Sequence, residues 1–382
     1  MASSSSKRPV VSARTLGLAA LAVAFAVLAV RGAFRNGNDF EAYHRSGAWF
    51  VAGRDLYSFG SLMPYRYVPG ITAVFAPFAA LSFPAARALW SVLTAALAFA
   101  SAVWVDRRVG RGCAFAVPLA WLCLLQPFSQ ELSHGQVDVL VLVLALAAFA
   151  AEDRGWLLTA GTLVAFAAAL KAAPIILALD WALRRRWRPL AGIAIGAALL
   201  ALAAVPTYGW TGAIQQHLSF LTLNSGDIQS RRGEPANQSL WSMAHELGLG
   251  FAGGAVSSVV LLALALSAKD LARRRLILLA IVPLVSGYGW PQGFILATPL
   301  LAQLLAGDRD LAWWAGVLAA GVSVLSYDVA GIRAEAWAHG HRVLGLLLLG
   351  VVVVGRVAAA RAARGAAPRS PSPPSTSAPS PP

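Results

Sequence analysis

Charge is what this chain has least of. Only 13% of its 382 residues are Asp, Glu, Lys or Arg, and 58% are hydrophobic. A soluble domain carries roughly 25% charged residues. A soluble enzyme core is therefore excluded, and a polytopic membrane protein is expected. Cysteine is almost missing too. Cys113 and Cys123 lie in one apolar run, which excludes a disulfide framework and a cysteine-based metal cluster. The chain has no Walker-type loop and no Gly-rich dinucleotide turn, so a cytoplasmic nucleotide is not the expected fuel. It also lacks the internal repeat that many transporters carry.

What the chain does have is apolar sequence in long runs. A membrane helix needs about 20 apolar residues, fewer where the site is thinned or crowded. About twelve runs qualify: 13–32, 84–106, 112–127, 137–151, 155–171, 173–183, 188–206, 249–268, 271–286, 293–307, 310–328 and 341–357. The run 68–81 is short and bracketed by Pro69 and Pro77. It reads as a juxtamembrane or re-entrant helix. The expected architecture is an all-α polytopic membrane protein with about 12 transmembrane helices and juxtamembrane helices in the first outer loop. Residues 1–12 form a cytoplasmic N-terminus leading into an uncleaved signal anchor. Residues 13–357 form the integral-membrane domain, with a first outer loop at 33–83 and a second long one at 207–248. Residues 358–382 are Pro/Ser-rich and read as a disordered cytoplasmic tail.

The net charge of +14 follows the same map. With the N-terminus inside, the inner segments collect Lys7, Arg8, Arg14, Arg107, Arg108, Arg111, Arg154, Arg184, Arg185, Arg186, Arg188, Lys269, Arg273, Arg274, Arg275 and Arg309. That is the positive-inside pattern. Topology and contact with anionic lipid account for the basic charge, and no nucleic-acid partner is needed. The opposite face gathers all six histidines and most of the acids. Proton-handling side chains on one face point to a reaction site there.

The segment 38–57, NDFEAYHRSGAWFVAGRDLY, follows the first apolar run. Phe40, Tyr43, Gly47, Phe50 and Val51 recur at helical spacing, and Asn38 with Glu41 resembles a capping box. An amphipathic helix lying on the outer leaflet is expected. Asp39 then has two readings: a first-turn acid complementing the helix dipole, or a general base in a partly desolvated cleft. Asp39 and Glu41 together also look like an acidic metal-binding pair. Residues two apart on a helix do not face each other, so no metal is expected. Asp138 opens a membrane helix, either as a cap or internal hydrogen-bonding group, or as a functional acid. Lys171 ends another helix, either snorkelling to the interface or neutralising a lipid phosphate. Arg231, Arg232, Asn237 and Gln238 lie in the second long outer loop. Amides there suit sugar hydroxyls; the alternative is a solvated loop with a helix cap at Ser239.

Several blocks occur in a telling order: NDFEAYHRSGAWFVAGRDLY, PYRYVPGITAVFAPFAAL, HGQVDVLVLVLAL, AGTLVAFAAALKAAPIILAL, RRRWRPLAG and NQSL. From about residue 36 to about 300 they resemble the signature blocks of glycosyltransferase family 87, integral-membrane enzymes of the GT-C superfamily. The resemblance implies a GT-C-type fold with an extracytoplasmic active site in the plasma membrane. It implies a hexosyltransferase taking a mannose-type sugar from a polyprenyl-phosphate donor to a glycolipid or cell-envelope glycan acceptor, by inverting displacement and without a cofactor. A related group transfers arabinofuranose, and that alternative stays open. A transporter of lipid-linked sugars and a structural partner of an envelope complex are the competing classes.

Through the DF-x-x-Y block the resemblance makes Asp39 the base. By position, Lys171 and Arg66 are candidates for the donor phosphate. Tyr43, Gln136, Asn237, Gln238, Trp290 and Gln292 are candidates for sugar or acceptor contacts. One block departs: in SGYGWPQGFILATPLL, Gln292 and Gly293 stand where family members often carry histidines after the Trp. Gln does not relay a proton as His does. His44 or His134 is then the candidate relay beside Asp39.

Overall fold

The computed structural model describes residues 12–35, 37–57, 64–108, 113–230 and 237–307. The expected spans 310–328 and 341–357, the C-terminal tail, residues 1–11, and Arg231 and Arg232 lie outside the described residues. All regular structure among the described residues is helical.

The chain enters through α1 (Ala13–Ala33), capped by the Ser12 hydroxyl. Its Leu21, Phe25 and Leu28 are buried, while Val23, Val27 and Val30 are exposed. One greasy face thus packs inward, and the other is suited to lipid. Phe25 meets Trp121 at 4.9 Å and Phe128 at 4.4 Å between ring centroids. The first loop folds into α2 (Asn38–Val51), a 3₁₀ turn (Pro69–Val74) and the short α3 (Ala76–Ala79). The run 68–81 is thus two short pieces rather than a membrane crossing, and the prolines at 69 and 77 each start one of them. Next come α4 (Phe83–Arg108), α5 (Ala116–Cys123), α6 (Leu125–His134), α7 (Asp138–Asp153) and α8 (Leu157–Leu170). They are followed by α9 (Leu177–Leu183), α10 (Trp187–Ala203), α11 (Val205–Ser230) and α12 (Leu240–Glu246). The described chain finishes with α13 (Gly250–Leu266), α14 (Leu271–Val285), a 3₁₀ turn (Pro291–Ala297) and α15 (Thr298–Gly307).

Two of these helices, α1 and α4, are long and apolar enough to cross a membrane. Two further pairs qualify when each is taken as one broken span: α6 with α7, bent by 115°, and α10 with α11, bent by 103°. Several expected spans are shorter apolar helices, α8 and α13 among them. The expected run 112–127 divides between α5 and the start of α6, and 293–307 divides between a 3₁₀ turn and α15.

Charge separates the two ends of the bundle. At one end, Arg14 reaches Asp106 (2.5 Å), and Arg108 reaches Asp153 (2.9 Å). Arg275 bridges Glu152 (2.9 Å) and Asp153 (2.7 Å). Arg184 bridges Glu152 (2.9 Å) and Asp180 (2.5 Å), which also accepts from Arg274 (2.8 Å). The start of α1 and α14 and the ends of α4, α7 and α9 therefore share this end. It is where the sequence concentrates Arg and Lys. The other end holds α2 and the break between α6 and α7.

Candidate active site

The sequence expects a capping box at the start of α2, and the structure corrects this. Asn38 is the first helical residue, and Gly37 precedes it in the left-handed region at φ 59°. A side chain at Gly37 would strike the Arg87 guanidinium. The Gly37 carbonyl accepts from the Glu41 amide at 2.8 Å, and the Glu41 side chain is exposed, 3.9 Å from Arg45. Phe40, Tyr43, Gly47 and Phe50 are buried as the periodicity predicts, whereas Val51, at the last position of the helix, is exposed. Phe40 stacks on Trp90 of α4 at 5.5 Å and meets Phe78 edge-on. This aromatic seat fixes α2 against the bundle and aims Asp39, in its first turn, at the break between α6 and α7.

That break is built by Gly135, whose φ of 73° caps α6. The amides of Gly135 and Gln136 both return to the Glu131 carbonyl, at 2.8 and 2.9 Å, as a helix C-terminus stopped by a left-handed glycine does. Gln136 is thereby thrown toward α2. Its Nε2 donates to Asp39 Oδ2 at 2.7 Å. Its Oε1 accepts from the Tyr43 hydroxyl at 3.2 Å, and the Tyr43 and Tyr67 hydroxyls are 2.6 Å apart. His134, at the end of α6, brings Nδ1 to 4.0 Å from Asp39 Oδ2. The Asp39 side chain keeps 29% of its surface accessible, so it is held but not sealed. Burial pushes its carboxyl above the ordinary 3.8, against the opposing pull of His134, the Gln136 hydrogen bond, Lys171 and Arg66. Burial likewise raises the phenols of Tyr43 and Tyr67, which remain neutral hydroxyl groups.

Lys171 ends α8 in an extended conformation. Its Nζ donates to Asp138 Oδ2 at 2.6 Å, and the lysine side chain is 24% exposed whereas that of Asp138 is fully buried. Asp138 stands in the first turn of α7, and its carboxylate points to Lys171 rather than capping the helix. The cap of that turn comes from Glu131, whose Oε1 accepts from the Val139 amide at 3.1 Å.

Asn237 and Gln238 are buried, contrary to the solvated-loop reading. Asn237 Oδ1 accepts from the amides of Gly289 (2.9 Å) and Ser239 (3.1 Å), and its Nδ2 donates to Gly287 at 3.1 Å. It is a splice between 237–239 and 287–289. The helix cap at Ser239 is present. Gln238 is 1% exposed, and neither atom of its side-chain amide has a partner. Trp290 caps the 3₁₀ turn Pro291–Ala297, which packs on α6 and α7 and buries Gln292.

Asp39, Tyr43, Gln136 and His134 are thus brought together, with Lys171 and Arg66 near enough for their charges to act on Asp39. His44 is not part of this group. Its ring packs on Phe83, and its Nε2 lies 3.1 Å from the Leu81 carbonyl. Tyr67 and Glu131 are additions that sequence reading missed. The only signal for Glu131 was its place seven residues before Asp138, flanking Gly135.

A half-buried acid, a histidine beside it and two cations whose charges act on it suit transfer of a group from a phosphate to a hydroxyl. The model of glycosyltransferase family 87 matches residues 65–287. The chain belongs to glycosyltransferase family 87. It is a membrane glycosyltransferase. Two curated relatives bear the same name, polyprenol-phosphate-mannose-dependent alpha-(1-2)-phosphatidylinositol mannoside mannosyltransferase. The one from Mycolicibacterium smegmatis is 25% identical over 331 residues, covering 75% of this chain and 74% of the relative. The one from Mycobacterium tuberculosis is 29% identical over 191 residues, covering 44% and 42%. No solved structure matches.

Proposed function

We propose that this glycosyltransferase moves a mannose-type sugar from a polyprenyl-phosphate donor to a glycolipid or cell-envelope glycan hydroxyl on the outer face of the plasma membrane. The observation that carries this reading is Asp39. It is a partly open carboxylate, held by Gln136 and flanked by His134, on which the charges of Lys171 and Arg66 act. The names of both relatives support the donor and the class of acceptor.

The acceptor hydroxyl attacks the anomeric carbon from the face opposite the phosphate. Its proton passes to the Asp39 carboxylate as the new C–O bond forms. The bond from the anomeric carbon to the phosphate oxygen breaks, and polyprenyl phosphate departs with its charge met by Lys171 and Arg66. Configuration inverts in this single displacement. Raising the Asp39 carboxyl by burial makes it a better proton acceptor while the nearby cations keep it ionised. Because His44 is engaged elsewhere, His134 is the relay that passes the proton on to solvent; its side chain is 48% exposed. Gln136 serves the base rather than the sugar, and the buried, unpartnered amide of Gln238 keeps donors and an acceptor for a sugar hydroxyl if substrate opens a path to it.

The test is transfer of labelled mannose from polyprenyl-phosphate mannose to phosphatidylinositol mannosides by the purified protein, with Asp39→Asn as the comparison. We expect transfer by the wild-type protein and its loss in a variant that still folds and inserts. Unchanged transfer in Asp39→Asn would remove Asp39 from the role of base.

A further inference from the structure

Glu131 and Asp138 are both fully buried, with no exposed surface, and their carboxyl groups lie within hydrogen-bonding reach of each other. Each keeps one oxygen committed. Glu131 Oε1 takes the Val139 amide, and Asp138 Oδ2 takes the Lys171 ammonium. Each also keeps one oxygen with no donor, Oε2 of Glu131 and Oδ1 of Asp138. Two carboxylate oxygens cannot bond to each other, because both only accept. An unmet carboxylate oxygen in a dry interior is costly. One proton cures both: a neutral Glu131 accepts at Oε1, donates from Oε2 to Asp138 Oδ1, and leaves Asp138 as the anion facing Lys171.

The other charged and titratable groups around the pair do not supply that proton's role. Arg87, on α4, commits its terminal nitrogens to Ser91 and to the carbonyls of Leu132 and Ser133. Asp39, on α2, is an acceptor engaged with Gln136. Tyr43 and Tyr67 bond to each other and to Gln136. The 3₁₀ turn Pro291–Ala297 brings no titratable side chain.

We propose that Glu131 and Asp138 form a proton-sharing carboxyl pair that positions Lys171 for the donor phosphate, with Glu131 the neutral, donating member. Glu131 is a positioning residue; the group that would touch substrate is Lys171. The chain of contacts runs from the first turn of α7 through Glu131 and Asp138 to Lys171, which sits at the end of a different helix. It holds the lysine in place before the donor arrives, so that little is spent on ordering it. When phosphate binds, the ammonium exchanges part of its contact with Asp138 for the phosphate, and the protonated Glu131 keeps Asp138 from standing as an uncompensated anion beside it.

The inference rests on the reading of Lys171 as a phosphate ligand, so its test has an arm that does not depend on activity. The infrared spectrum of the full-length protein in nanodiscs at neutral pH should contain a protonated-carboxyl C=O stretch that vanishes in Glu131→Gln. Its persistence in that variant, or its absence from the wild type, overturns the proposal. In the transfer assay, Glu131→Ala should raise the donor KM about tenfold or more, with a smaller effect on kcat. Glu131→Gln presents an N–H to Asp138 in place of the O–H, and should restore the donor KM to within about twofold of wild type. A folded Glu131→Gln protein as impaired as Glu131→Ala would mean that Glu131 acts as an anion, and would overturn the pair. If the wild-type protein transfers no mannose, the proposed function fails, while the infrared result still decides the protonation of Glu131.

Discussion

Gln136→Leu is the most direct probe of how Asp39 is tuned. In the wild-type protein the Gln136 amide donates a hydrogen bond to Asp39 Oδ2 at 2.7 Å. A hydrogen bond to a charged group is worth about 1.5–3 kcal/mol. Asp39 keeps 29% of its side-chain surface accessible, so water replaces part of the loss and the lower bound applies. At 1.36 kcal/mol per pKa unit, about 1.5 kcal/mol corresponds to a rise of about one unit in the Asp39 carboxyl. The sign follows from the role proposed for Asp39. Asp39 accepts a proton only as the carboxylate, so activity is high above its pKa and falls as pH falls through it. Burial already sets that limb above the ordinary Asp range, and the variant should move it about one pH unit higher still. The assay is the pH dependence of kcat/KM for mannose transfer, which reports the free enzyme. The proposed donor is a phosphodiester and has no second ionisation near neutrality to confuse the limb. Leucine is close to glutamine in size, and Tyr43 keeps its bond to Tyr67, so the local packing survives. Gln136→Glu gives a second direction: a carboxylate next to Asp39 adds like-charge repulsion and should push the limb beyond that of the Leu variant. An acid limb that stays put in both variants would refute the claim that Gln136 tunes the titrating base.

The two histidines separate cleanly. His134→Gln should lower kcat by about 10²-fold, the low end of what a proton-transferring side chain contributes, while His44→Gln leaves transfer unchanged; the reverse pattern would reject His134 as the relay. Phe40→Ala removes a fully buried ring from between Trp90 and Phe78 and should cost about 3–5 kcal/mol, read as a lowered unfolding temperature in detergent. Because the ring seats α2, transfer should fall with it, and a stable variant with full activity would show that α2 is held by other contacts.

Where the sequence was legible, the signal was local or periodic. The buried stripe of α2 follows from Phe40, Tyr43, Gly47 and Phe50 at helical spacing. The two prolines of 68–81 announce short pieces rather than a span. The Ser239 cap is a local rule and was read correctly. The capping box at Asn38 was misread because the pattern was present but Gly37 could take a positive φ, which starts the helix by a different backbone path. The contacts that build the candidate site are of another kind. Gln136 and Asp39 are 97 residues apart, and Lys171 and Asp138 are 33 apart. Their pairing depends on how the break at Gly135 turns α6 against α7, and no spacing rule encodes that angle. Lys171 looked solitary among apolar neighbours for the same reason: its counterion is on another helix. Asn237 looked like a loop residue because its partners, the backbone groups of 287–289, are distant in sequence.

The departure at Gln292 and Gly293 also takes on a different meaning in the structure. The resemblance to the family places histidines there and invites the reading that a proton relay for Asp39 has been lost. A Cβ at Gly293 would instead stand 3.6 Å from Asp138 Oδ1 and 3.3 Å from the Pro283 side chain. A side chain at 293 would thus project toward the counterion of Lys171, and Asp39 has His134 for its own neighbour. The oxygen that such a side chain would meet is the one without a donor in this chain, the oxygen to which a protonated Glu131 would donate. On this geometry the missing histidine bears on how Lys171, the proposed ligand of the donor phosphate, is held. The proposed base and relay, Asp39 and His134, are built from α2 and the end of α6, and glycine at 293 leaves them intact.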